Sequence, residues 1–155
     1  MTAWIRQFLD SLALEKGLSK NTLLAYGRDL KRYASYLGRK KIDSPEKVKR
    51  QQVMDFLLSE KDRRLEASSV ARALVAVRMF HRFLVEEGHT KENVTDALES
   101  PKLWKRLPNY LTQSEVVRLI AAPNARKAQG IRDNAVLELM YATGMRASEV
   151  TALKM

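Results

Sequence analysis

The hydrophobic residues at the start of the chain recur at helical spacing. In residues 2–15 the apolar positions follow one another at intervals of one, three and four, which places them on one face of a helix. Gly17 ends this pattern, and Ser19 stands where its hydroxyl can accept from the free amides of a second helix. Gly38 is predicted to close that second helix. Two amphipathic helices are therefore predicted before residue 40.

A polar, turn-rich stretch at 39–45 precedes two further helical patterns. The third helix is predicted around 53–61, and the fourth opens at Ser68 or Ser69 and stops at Gly88. No sustained strand-like alternation is present, so the chain is predicted to be all-α. The core positions expected on the second and fourth helices are Leu23, Tyr26, Leu30, Tyr33, Leu37, Val70, Leu74, Val77, Phe80 and Leu84.

Periodicity fades between residues 91 and 109, where Pro101 and Pro108 bracket a basic segment. This composition is typical of an interdomain linker. We therefore predict a helical domain at 1–90, a linker at 91–109, and the beginning of a second domain at 110–155.

The second domain is predicted to start with a capped helix. Thr112 and Glu115 have the spacing of a capping box, and Pro123 follows the helix. A sixth helix is expected from about Ile131 to Thr143, and Gly144 then turns the chain into a seventh. The sixth helix is expected to bury four apolar side chains, those of Ala135, Val136, Leu139 and Met140.

Charge narrows the classes of partner. The 155 residues carry 28 Lys and Arg against 18 Asp and Glu, a net charge of +10. Residues 1–90 hold 18 basic and 11 acidic side chains, so most of the excess lies in the first domain. A polyanion is the expected partner, although charge alone does not separate DNA, RNA and anionic lipid.

Missing residue types exclude several chemistries. The sequence contains no cysteine, which removes disulfides, thiolate catalysis and Cys-ligated zinc. His81 and His89 have no second ligand at metal spacing, so no metal site is expected. No apolar run approaches the length of a membrane span, and the first 15 residues do not have the form of a signal peptide. We expect a cytoplasmic protein that does not contact membranes.

Residues 132–153 read RDNAVLELMYATGMRASEVTAL. An apolar helix, a Thr-Gly turn and Arg-x-Ser-Glu follow one another, and in this arrangement the segment resembles the first catalytic box of tyrosine recombinases and phage integrases. Upstream segments resemble the second and fourth helices of this family's core-binding domain, and those from Pro101 onward are similar to the linker and catalytic-domain start of bacterial Xer recombinases in particular. Those segments are Gly17-Leu18-Ser19, Asn21-Thr22, Tyr26, Asp29-Leu30, Ser68-Ser69, Arg72, Arg78, Phe80, Pro101-Lys102 and Leu107-Pro108.

The resemblance implies a fold and a reaction. The fold is a four-helix SAM-like core-binding domain, a linker, and the first helices of a truncated catalytic domain. The reaction is site-specific DNA strand exchange through a phosphotyrosine intermediate, with no cofactor. The partners are a duplex recombination site and other recombinase protomers in a tetrameric synapse. Chromosome-dimer resolution is the expected role, and integration of a phage or mobile element is the alternative.

The resemblance assigns Arg146 to the scissile phosphate. A planar guanidinium donates two parallel hydrogen bonds to nonbridging oxygens and stays protonated while negative charge develops there. Glu149 is expected to orient Arg146, or to stabilise the first turn of the following helix. The family's other catalytic residues, including its nucleophilic tyrosine, belong downstream of residue 155. We therefore expect the 155 residues alone to bind DNA without cleaving it.

The second and fourth helices each show a basic face opposite the apolar stripe, which suits phosphate contacts, and the resemblance implies that these two helices approach DNA. The alternative is that these faces are simply solvated. Other functions left open are a non-catalytic DNA-binding module or inhibitor, and a helical domain that binds an acidic protein. The expected DNA-binding residues, from the two helices and the linker, are Lys20, Asn21, Thr22, Arg28, Lys31, Ser69, Arg72, Arg78, Lys102 and Lys105.

Overall fold

The computed structural model describes residues 1–15, 17–63, 65–98 and 109–153. Over these ranges the chain is all-α and contains no strand, which confirms the predicted fold class. It divides into two compact units, residues 1–104 and 105–155. The finer division into 1–90, 91–109 and 110–155 stays a prediction.

The first unit is a bundle of four helices. Helix α1 spans Thr2–Glu15, α2 Lys20–Arg39, α3 Arg50–Asp62 and α4 Ala67–Glu86, and a single 3₁₀ turn at Pro45–Lys47 precedes α3. The helices enclose one core, in which Phe8, Tyr33, Phe56 and Phe80 are almost completely buried. The predicted apolar stripes of α2 and α4 therefore face this common core.

The helix ends follow local chemistry, with two corrections. Ser19 caps α2 as predicted, because its Oγ accepts from the Thr22 amide at 3.2 Å. The prediction that Gly38 closes α2 was wrong: the helix continues to Arg39, and the chain reverses at Lys41, where φ is +58°. The prediction that Ser68 or Ser69 opens α4 was also wrong. The carbonyl of Glu66 accepts from the amides of Ser69 and Val70, so the helix begins a residue or two earlier.

A polar pair lies within the core of the first unit. His81 is 1% exposed, and its Nε2 lies 2.9 Å from the hydroxyl of Tyr33, which is fully buried. Burial lowers the pKa of His81 to about 4 and raises the pKa of Tyr33. His81 is therefore neutral at physiological pH and satisfies the hydroxyl that α2 brings into the core.

The residues after α4 return to the bundle. Thr95 and Leu98 are buried, the Arg50 guanidinium donates to the Ala97 carbonyl at 2.8 Å, and Arg78 donates to the Leu98 carbonyl. The stretch at 94–98 is therefore fastened to α3 and α4.

The second unit contains helix α5 at Gln113–Ala121, α6 at Ala128–Thr143 and α7 at Ala147–Thr151. The predicted capping box is present: the Thr112 amide donates to Glu115 at 2.8 Å, and the Glu115 amide donates to Thr112 at 3.4 Å. Gly144 ends α6 in the left-handed conformation with φ of +68°, where a residue without a Cβ is favoured.

Burial in the second unit differs from expectation. Of the described residues of α6 only Gly130 is buried, whereas Ala135 and Leu139 are exposed and Val136 and Met140 are only partly covered. Tyr141, on the same helix, is 62% exposed. Helices of 9, 16 and 5 residues offer too little surface to enclose an apolar face.

Candidate nucleic-acid interface and the Arg146 site

The first turn of α2 carries three of the expected DNA-binding residues. Lys20 and Asn21 are exposed. Thr22 is partly buried, and both its amide and its hydroxyl are hydrogen-bonded to the Ser19 hydroxyl, at 3.2 and 2.9 Å. Lys20 and Asn21 therefore retain free side-chain donors, whereas the polar groups of Thr22 serve the helix cap.

Arg28 and Lys31 lie further along α2 on its exposed side. They line a groove between α2 and α3, with Arg39 at the far end of α2 and Arg63 just beyond α3. Within the residues that the structure describes, Arg28, Lys31 and Arg39 make no ion pair, so their charges are available to an anion. Sequence reasoning missed Arg39 and Arg63, because only the packing of α3 on α2 brings the two onto one groove.

A buried ion network connects three helices of the first unit. The carboxylate of Asp29 is fully buried and accepts from Arg32 at 2.6 Å and from Arg72 at 2.9 Å. Glu60 of α3, 2% exposed, accepts from Arg32 at 2.6 Å and from Arg63 at 3.4 Å. Arg32 thus joins both carboxylates and links α2 to α3, while Arg72 links α4 to Asp29 of α2.

The expected DNA-binding residues of α4 do not share one surface. Arg72 turns toward Asp29 of α2, although 40% of its side chain remains exposed. Arg78, six residues later, donates to the Leu98 carbonyl. Ser69 is partly buried in the first turn. Lys102 and Lys105 lie outside the described residues.

Asp29 could have been suspected from the sequence. It lies between Tyr26 and Tyr33 at helical spacing, so it falls on the apolar stripe that packs into the core. A carboxylate in such a position needs charged or hydrogen-bonding partners. The pattern signals that partners exist, but it does not identify Arg72, which lies 43 residues away.

Arg146 lies in the second unit, at the N-cap of α7. Glu149 accepts from the Arg146 amide at 2.8 Å through one carboxylate oxygen and from its Nη1 at 3.1 Å through the other. The Arg146 side chain is nevertheless 82% exposed. Glu149 thus both caps the helix and contacts the guanidinium, and its role in orienting Arg146 for a phosphate stays a prediction.

This geometry suits binding of a phosphate. A single contact to Glu149 leaves the outer edge of the guanidinium accessible, where it can donate two parallel hydrogen bonds to a tetrahedral anion. Within the part of the chain that the structure describes, no cluster of three or more acidic or histidine side chains is arranged to hold a metal ion. In the same residues, no helix is long and apolar enough to cross a bilayer.

Comparison with known proteins matches both units. Residues 5–88 match the phage integrase N-terminal SAM-like domain, and residues 109–155 match the phage integrase family. The chain belongs to the phage integrase family. The first of these matches contains Asp29 and the groove between α2 and α3, and the second contains Arg146 and Glu149.

Curated proteins are also similar to this chain along nearly its whole length. It is 39% identical over 154 residues to a protein named tyrosine recombinase XerD from Staphylococcus haemolyticus, and 39% identical over 155 residues to the protein of that name from Staphylococcus aureus. These alignments cover 99% and 100% of the chain and 52% of each relative. The chain therefore spans about half the length of the curated relatives it matches.

Proposed function

We propose that the chain is the DNA-binding half of a site-specific tyrosine recombinase, which cleaves and rejoins DNA strands through a phosphotyrosine intermediate. The first unit holds duplex DNA through the basic side of α2 and the start of α4. The second unit contributes Arg146, oriented by Glu149, to the scissile phosphate. The expected linker lysines, Lys102 and Lys105, add contacts to the DNA backbone.

The observation that carries this proposal is the exposed Arg146 guanidinium held by Glu149. Attack on a phosphodiester spreads charge over its nonbridging oxygens, and a guanidinium that is already oriented stabilises that charge without reorganising. Nη1 of Arg146 donates to Glu149 at 3.1 Å, and the Arg146 side chain is still 82% exposed. A surface arginine without such a partner would have to lose side-chain entropy on binding.

The 155 residues are proposed to bind DNA without cutting it. Tyr33 and Tyr36 are buried in the first unit, and Tyr26 packs against its core. Burial raises the pKa of Tyr33 and Tyr36, which disfavours the phenolate that would attack phosphorus. Tyr110 and Tyr141 are exposed, and among the residues that the structure describes neither hydroxyl is hydrogen-bonded to a base that would activate it.

A nicked suicide duplex tests this step. The 155-residue chain is expected to shift the duplex on a native gel and to form no covalent complex that survives denaturant. Trapping of such a complex with the chain alone would show that it contains a nucleophile, which would contradict the proposal.

Arg146 is tested in the whole reading frame that contains this chain. Arg146→Lys keeps the charge but removes the bidentate donor, so covalent complex formation is expected to fall roughly 100-fold or more while duplex affinity stays within a few-fold. Glu149→Gln should produce a smaller loss, because it weakens the orientation of Arg146 and leaves the guanidinium in place. Full activity of Arg146→Lys would remove Arg146 from the site.

Chromosome-dimer resolution with a partner recombinase, in a tetrameric synapse, is the role we propose on the strength of the XerD relatives. The alternative is a non-catalytic DNA-binding module or inhibitor. Reading the codons that follow Met155 separates the two proposals. Measuring recombination between two copies of a chromosomal site, and separately at a phage attachment site, then distinguishes dimer resolution from integration.

A further inference from the structure

The groove between α2 and α3 concentrates positive charge, and two of its cations, Arg39 and Arg63, were not among the DNA-binding residues expected from the sequence. Arg28, Lys31 and Arg39 lie on one side of α2 at intervals of three and eight residues, and Arg63 faces them across the groove. At 1.5 Å per residue, Arg28 and Arg39 are separated by about 16 Å along the helix axis. The cations therefore form a row rather than a point.

Little within the groove neutralises this row. Among the described residues the one carboxylate lining it is that of Glu60, which is 2% exposed and already accepts from Arg32 and Arg63. On the neighbouring turn of α3, Asp55 is hydrogen-bonded to Gln51 at 2.7 Å. Like charges on adjacent turns of a helix destabilise it unless a counter-anion is present. The excess positive charge of this groove therefore favours binding of an external anion.

We propose that this groove is a second track for the phosphodiester backbone of duplex DNA, in which Arg39 and Arg63 extend the contacts begun by Arg28 and Lys31. The inference rests on the proposed DNA binding, and it adds α3 to a surface so far limited to α2 and α4. Successive phosphates on one strand rise by about 3.4 Å along the duplex axis, so a row of about 16 Å spans roughly five of them.

The floor of the groove explains why charge rather than base identity would be recognised. Its serine hydroxyls are committed to the backbone: Ser35 donates to the Lys31 carbonyl at 2.9 Å and Ser59 to the Phe56 carbonyl at 2.7 Å. Arg39 lies 5.8 Å from the centroid of the Tyr36 ring, which supports the guanidinium at the surface. The contacts expected from this groove are therefore electrostatic and independent of sequence.

Arg63 is the residue best suited to switch partners. Its Nη1 lies 3.4 Å from Glu60, a long contact, and its side chain is 63% exposed. Glu60 keeps the shorter contact to Arg32, at 2.6 Å, when Arg63 turns away. A phosphate can therefore recruit Arg63 without leaving a buried carboxylate unpaired.

The test compares Arg39→Gln/Arg63→Gln with Lys61→Gln in the 155-residue chain. Lys61 lies on α3 two residues before Arg63, but it lines a different groove with Met54 and Leu58. The probe is a duplex of arbitrary sequence, about 30 base pairs long, titrated at several salt concentrations. The double variant loses two phosphate contacts, so its plot of log affinity against log salt should be shallower by roughly 1.8. Lys61→Gln is expected to leave the slope unchanged.

The outcomes separate this inference from the function on which it rests. A steep slope in the unchanged chain that persists in the double variant overturns the groove and leaves DNA binding by α2 and α4 standing. An equal loss in Lys61→Gln means that overall charge is being measured, and it also overturns the groove. If the unchanged chain shows no salt-dependent binding to the duplex, both proposals fail. Arg39→Lys/Arg63→Lys keeps both positive charges and is expected to show the salt slope of the unchanged chain. A slope as shallow as that of the Gln double variant would overturn the groove.

Discussion

The buried carboxylate of Asp29 is predicted to be the main polar link between α2 and α4. Asp29→Asn keeps the size of the side chain but removes its charge and turns an amide donor toward Arg32 or Arg72. In the protein the two arginines approach the carboxylate to 2.6 and 2.9 Å, and Asp29 is completely buried. The substitution therefore weakens the contacts to both arginines at once, because one oxygen is replaced by an amide donor and the other loses its charge.

The magnitude follows from the exposure of the partners. Removing one member of a fully buried ion pair costs about 3–5 kcal/mol, because the other charge is left without compensation. Here the side chains of Arg32 and Arg72 are 27% and 40% exposed, so water can partly solvate them after the change. We therefore expect a loss near the lower end, about 3 kcal/mol in the free energy of unfolding. For a unit of this size that corresponds to a melting temperature lower by roughly 10–20 °C.

Urea unfolding followed by far-UV circular dichroism measures this loss. With a slope of about 1.5 kcal/mol/M, the midpoint should fall by about 2 M. Asp62→Asn, an exposed carboxylate on α3 without an ion pair among the described residues, should change the stability by less than about 0.5 kcal/mol. A loss below about 1 kcal/mol for Asp29→Asn would refute the argument that this carboxylate links the helices. In a double-mutant cycle with Arg72→Gln, additive energies would refute the contact to α4 specifically.

Two further predictions concern the core pair and a close approach in the second unit. Because the pKa of His81 is about 4 in the folded chain and 6.5 in the unfolded chain, the unfolded state binds the proton first as the pH falls. The free energy of unfolding should therefore decline between pH 6.5 and pH 4 by up to about 3 kcal/mol. His81→Gln should flatten this decline, as measured by urea titrations at several pH values. A Cβ on Gly130 would collide with the backbone carbonyl of Asn124, so Gly130→Ala should destabilise α6 by about 2 kcal/mol, measured by amide exchange. Gly144→Ala meets no neighbouring atom and should cost only about 1 kcal/mol for its left-handed backbone, so an equal effect of the two substitutions would contradict the steric argument.

The features predictable from the sequence are those decided within one or two helical turns. The stripe of Leu30, Tyr33 and Leu37 is buried as its spacing indicates, and the Ser19 cap and the Thr112–Glu115 box form because their partners lie three residues apart. The Arg146–Glu149 pair has the same local origin. Local spacing determines these contacts whatever the surrounding fold.

Contacts between distant elements could not be predicted in this way. Arg32 meets Glu60 across 28 residues, and Arg72 meets Asp29 across 43, because of how α3 and α4 pack on α2. The predicted core of α6 failed for a related reason. Amphipathic spacing identifies the face that is able to be buried, but burial requires other elements to cover it, and α5 and α7 leave Leu139 and Tyr141 exposed.

The two buried carboxylates also change how the positive charge of the first domain should be interpreted. Residues 1–90 carry 18 basic side chains, but Arg32 and Arg72 pair with the buried carboxylates of Asp29 and Glu60, and these two serve first to hold the helices together. Of the cations that line the groove, Arg28, Lys31 and Arg39 have no ion pair within the described ranges and Arg63 has only its 3.4 Å contact to Glu60, so the proposed groove contacts predict a salt slope of roughly 3.6. The net charge of the chain therefore overstates the charge available for the proposed DNA contacts, because part of it stabilises the helices that position the remaining cations.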